Sequence, residues 1–217
     1  MASHDGVQQH TISLGQAAAD SSPAERSRDG HPVTTALLTQ PLALSPGVIV
    51  DSGRSREAAA ETWLLLAAPD RRKALAEWEQ EGLTLLRCGG LFSAVRIPAA
   101  VIHAAAGTED TRELTAALRR ALDGPVFYDC SGRHFYALTP HSTARLWQVP
   151  GSECLGPDFF LGVPATSVTA PDPLFRAWWV VPMDGPAVLC FPGAVASLVQ
   201  RGQSLVAAAQ AKQAADA

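Results

Sequence analysis

Six consecutive residues, Asp129-Cys130-Ser131-Gly132-Arg133-His134, bring a carboxylate, a thiol, a hydroxyl, a guanidinium and an imidazole within one short stretch. Apolar and aromatic runs flank them, Pro125–Tyr128 before and Phe135–Leu138 after, so Gly124–Leu138 reads as a β-hairpin with a polar tip. An arginine and a histidine held on such a rim suit a phosphate or another polar ligand. The same pattern is also that of a turn bathed in solvent. Ser131 and His134 are close in sequence, but a nucleophilic triad needs residues brought together from separate elements. Asp129 with Asp158 or Glu153 makes a carboxylate pair only on paper.

Other site patterns are missing. The chain has no GxGxxG or GxxxxGK[ST] loop to cradle phosphates, no GxSxG elbow and no HExxH metal helix. Cys88, Cys130, Cys154 and Cys190 are far apart, which argues against a zinc site and for free thiols in a reducing compartment. With 217 residues, 47% of them hydrophobic, the chain can bury a core without staples. Its formal charge of −4 does not support a bulk electrostatic grip on nucleic acid. No secretory signal is visible at the N-terminus and no apolar run approaches a membrane span, so the expected location is cytoplasmic, away from membranes.

The elements that must hold the polar tip follow from patterning. Residues 1–32 are polar and turn-rich and read as a disordered arm whose His4, His10 and His31 carry no role. Val33–Asp51 is apolar but broken by Pro41 and Pro46, which favours short extended pieces. Helices are expected over Arg56–Ala68, over Arg71–Glu81 with Asp70 as its cap, over a short piece from Pro98 to Ala105, and over Glu109–Leu122 capped by Thr108. Gly82–Pro98 reads as strand, Cys-Gly-Gly turn and strand; further strands are expected at Ala144–Val149, Phe159–Val163 and Phe175–Val181. Pro192–Gln200 resumes helical spacing, and 207–217 is either its continuation or a frayed tail. The order predicts one α+β domain over residues 33–206, with helices packed on a mixed or antiparallel central sheet.

Within this order the stretch from about Trp63 to Thr166 resembles the primase-polymerase domain of the archaeo-eukaryotic primase superfamily, and in particular the actinobacterial bifunctional DNA primase/polymerase proteins. The residues carrying the resemblance are Glu77-Trp78 before Leu83–Gly90, the strand Leu91–Pro98, the small-x-His pattern Gly132-Arg133-His134, and Glu153-Cys154-Leu155-Gly156 before Phe159–Ser167. It implies an RRM-like core and a nucleotide-contacting histidine at His134. Active members hold divalent metals for nucleotidyl transfer on two acids of the first motif and one of the third. Here the first-motif positions fall on Arg96 and Pro98, or on Ser93 and Arg96, and only Glu153 remains as an acid.

The expectation is therefore a primase-polymerase-like domain that has lost polymerisation and binds a nucleotide or nucleic acid through Arg96, Ser131, Arg133, His134 and Glu153. No catalytic residue and no cofactor is assigned; magnesium or manganese enters only if the chain is catalytic. The alternatives are a regulatory module with an inherited dead site, whose protein partner the sequence does not name, and an active nucleotidyltransferase with a rearranged metal site. Trp178-Trp179 is read as packing rather than base stacking, His103 as partly buried and His141 as solvated.

Overall fold

The computed structural model describes residues 53–216. The N-terminal arm and the extended pieces expected before Asp51 lie outside these residues. The described chain is α+β, and its strand pairs are all antiparallel. Helix α1 spans Gly53–Leu64 and gives way to a 3-10 turn at Leu65–Ala67, so the α-helix expected to Ala68 stops four residues early. Helix α2, Arg71–Glu81, begins where Asp70 accepts the Lys73 N–H at 3.0 Å and ends at Gly82 in the left-handed region. That backbone bond holds the exposed Asp70 carboxyl below its ordinary pKa.

Strands β1 (Leu83–Arg87) and β2 (Phe92–Pro98) flank the Cys88-Gly89-Gly90 turn, yet they do not pair with each other. β1 forms a separate two-stranded ribbon with β6, Phe160–Pro164. β2 enters a five-stranded sheet of order β5-β2-β4-β3-β7, with β3 at Val126–Asp129, β4 at His134–Pro140, β5 at Glu153–Leu155 and β7 at Ala177–Val181. Between β2 and β3 run α3 (Ala99–Ala106) and α4 (Thr111–Leu122), and β4 lies between those two strands as in a split βαβ unit. The expected hairpin is present as β3 and β4. The strand expected at Ala144–Val149 is absent: Pro140 ends β4, and His141–Arg145 winds into a 3-10 turn whose Thr143 carbonyl accepts the Leu146 N–H.

The sheet divides two apolar layers. On one face Val95, Ile97, Phe135, Ala137 and Val126 meet α3, α4 and the long helix α5, Pro192–Ala215. α4 presents Leu114, Leu118 and Leu122 on one stripe, as its pattern demands; its N-cap is Asp110, which accepts the N–H groups of Arg112 and Glu113 at 3.0 Å. Thr108, expected as the cap, instead donates to Glu113 at 2.7 Å. On the other face Phe92, Ala94, Leu138 and Phe127 are covered by α1, α2 and the ribbon. The indoles of Trp78 and Trp179 donate to the carbonyls of Val163 and Pro164, at 2.9 and 3.1 Å, and pin β6 in place. Trp179 is thus core, and Trp178 packs edge-on to Tyr128 on the opposite face. Among the described residues no helix is long and apolar enough to cross a membrane.

Helices α3 and α5 approach so closely that a methyl group on Gly202 would collide with the Val101 carbonyl oxygen. Helix propensity alone favours Gly202→Ala by about 1 kcal/mol. The contact reverses that sign, and urea denaturation of Gly202→Ala should show a loss of about 1–3 kcal/mol.

Candidate functional site

Antiparallel register places Glu153, Arg96, Tyr136, Phe127 and Trp179 opposite one another in a single row across all five strands. Side chains two residues apart on a strand share a face, so the next row towards the hairpin tip carries Pro98, His134, Asp129 and Ala177. The ribbon seals Phe127 and Trp179 but not the far end of the first row, where Arg96 and Glu153 remain partly exposed. The uncovered part of this face is the candidate site.

Arg96 donates to Glu153 Oε2 at 2.8 Å, with 43% and 46% of the two side chains exposed. Arg96 pairs across the ladder with Tyr136. Burial pushes the Tyr136 phenol above its ordinary pKa, Asp129 and Glu153 add to the rise, and the Arg96 guanidinium opposes it. At neutral pH the ring therefore carries a neutral O–H over the groove. It stacks on Phe127, with centroids 4.9 Å apart.

The hairpin tip is a built turn. Asp129 Oδ1 accepts from the Ser131 N–H at 2.9 Å, the Ser131 hydroxyl at 2.6 Å and the Gly132 N–H at 3.4 Å. Ser131 is thus committed to the turn. A Cβ at Gly132 would stand 3.2 Å from both Asp129 Oδ2 and His134 Nδ1, so the absence of a side chain there lets the tip pass between them. Arg133 adopts φ +52° and its carbonyl accepts the Ala99 N–H at 2.9 Å, tying the tip to the start of α3. Its charge acts on the Tyr128 phenol, which belongs to the helix-covered face. The structure therefore joins Arg96 to Glu153 and sets His134 beside Tyr136, at 6.5 Å between rings.

A groove of about 260 Å³ opens between the tip and the outer side of the ribbon, lined by Asp129, Ser131, Tyr136 and Arg176 opposite Leu83 and Leu85. Sequence reading missed Tyr136 and Arg176. Arg176 precedes the apolar run of β7 and gave no signal by itself; its place follows from β7 pairing with β3, where its carbonyl accepts the Cys130 N–H at 2.8 Å. Among the described residues no group of three His, Cys, Asp or Glu side chains is placed to hold a metal ion.

The chain matches no family model, no curated protein and no solved structure.

Of the four thiols, Cys130 is exposed at the tip. Burial pushes Cys88 up to about 12, with Cys154 adding to the rise; burial likewise takes Cys154 to about 11 and Cys190 to about 12. Native protein at pH 8 should thus react rapidly with a disulfide reagent at one thiol per chain, and Cys130→Ser should remove that phase. The sign for stability follows from the raised values: the neutral thiols support the fold fully below pH 9, and that contribution is lost as pH rises from 9 through 11 and 12. The urea midpoint should fall over that range.

Proposed function

We propose that the open end of the sheet binds a nucleotide or nucleic acid without polymerising it, as a degenerate primase-polymerase-like domain of the cytoplasm. The observation that carries this reading is the Arg96–Glu153 ion pair. In the resemblance drawn from the sequence, these positions belong to the first and third metal-holding motifs, and His134 to the motif between them. The strands bearing them are neighbours in the order β5-β2-β4, with all three residues on one face. A two-metal transferase would need that face to be rich in free carboxylates. Here its one motif acid is neutralised by an arginine, which repels a divalent cation and keeps a donor fork beside the groove. Arg133 and Arg176 form no ion pair with a described residue and supply two guanidinium groups around the tip, beside the Asp129 carboxylate.

Ligand binding on this basis is independent of metal and sensitive to salt. Calorimetric titration with ATP and with a thymidine dodecamer should show binding that weakens with added salt and is unchanged by chelator. Arg133→Ala and His134→Ala should each weaken it several-fold. Manganese-supported primer extension should give no product. Binding abolished by chelator, or extension lost on Glu153→Ala, would overturn the proposal.

The ion pair makes a further prediction. Glu153→Gln frees the Arg96 guanidinium, so ATP affinity should rise. Because the pair is nearly half exposed, stability should change by no more than about 1 kcal/mol in urea denaturation.

A further inference from the structure

The groove beside the hairpin tip has two poles of opposite charge that do not neutralise each other. Asp129 and Arg176 both line it, yet neither enters an ion pair with a described residue. Asp129 Oδ1 is consumed by three donors of the turn, which fixes the carboxylate and leaves Oδ2 without a hydrogen bond from any described residue. Arg176 is anchored through its backbone carbonyl, and its guanidinium has no hydrogen-bond or ion-pair partner among the described residues. The remaining charges on this face, Arg96 and Glu153, cancel in their own pair.

From this arrangement we infer that the groove takes a ribose phosphate, with Asp129 Oδ2 accepting from the sugar hydroxyls and Arg176 holding the phosphate. The inference rests on the nucleotide-binding reading above and narrows it to 5′-ribonucleotides. A carboxylate beside a phosphate site repels the phosphate and is useful only to a donor. In a nucleotide those donors are the sugar hydroxyls and the base amino groups. A rigid acceptor facing a vicinal diol is the arrangement by which acidic residues read ribose in dinucleotide sites. Size agrees: about 260 Å³ accommodates the sugar and phosphate but is tight for a whole nucleotide. The base has an exit. Leu85 is shared with a neighbouring cavity of about 300 Å³, whose apolar wall includes Phe160. Leu85 and Phe160 are both more than half exposed, at 56% and 51%, and offer a face for the base.

The test compares AMP with 2′-deoxy-AMP by calorimetry on wild type, Asp129→Asn and Arg176→Ala. Asn keeps the oxygen that closes the turn and replaces only the free acceptor, so the fold is retained; Arg176→Ala leaves the backbone bond to Cys130 in place. Melting curves of both variants should overlay that of wild type. AMP should bind wild type about tenfold or more tighter than 2′-deoxy-AMP, the worth of a charge-assisted hydrogen bond. Asp129→Asn should bring AMP down to the 2′-deoxy-AMP level, and Arg176→Ala should weaken both ligands equally. Ribose 5-phosphate should compete with AMP better than 2-deoxyribose 5-phosphate does. Equal affinity for AMP and 2′-deoxy-AMP, or wild-type behaviour of either variant, overturns the ribose-phosphate assignment while nucleotide binding stands. So does binding of the thymidine dodecamer with no binding of either mononucleotide. If wild type binds none of these ligands, the broader reading falls and takes this one with it.

Discussion

Register in the five-stranded sheet is the constraint on which both the core and the candidate site depend. Because side chains alternate across a strand, the pairing that aligns Glu153, Arg96, Tyr136, Phe127 and Trp179 also sends Val95, Phe135 and Val126 to the opposite face. A slip of one residue on β2 would turn Arg96 into the helix layer and Ile97 towards solvent. Burying an unpaired guanidinium is costly enough to forbid that alternative. The charged residue that shapes the site thus also helps to fix the sheet.

Coverage of the second face is uneven, and this creates the groove. The β1–β6 ribbon rests on the aromatic end of the row, where the indoles of Trp78 and Trp179 donate to the carbonyls of Val163 and Pro164 on β6. Beyond Tyr136 nothing among the described residues packs over the sheet as closely. The result is a gradient along one row, from a buried indole through a stacked phenol to a solvated ion pair. Polar recognition needs such a boundary, because hydrogen bonds there face an apolar wall on one side and remain open to a ligand on the other.

Much of the local structure was legible in the residues. The hairpin around Asp129–His134, the Asp70 cap and the leucine stripe of α4 each rest on a rule that acts over a few positions, and each is found. Failures came where a longer-range effect decided. Ala144–Val149 has strand-forming residues, but Pro140 cannot continue the ladder and the edge beside β2 is taken by β5. β1 and β2 are found as read, on either side of a tight turn, but their partners were not legible: β1 leaves the main sheet for β6, and Leu86 is buried there.

The sequence by itself determined that this chain is α+β and where its main helices and central hairpin lie. Those properties depend on residue type and short spacing. Tertiary structure alone decided that Arg96 meets Glu153 across an edge of the sheet and that Arg176 joins Asp129 at one groove. Each of these joins residues whose proximity is set by strand order and register, which arise from packing the whole core and have no local signature.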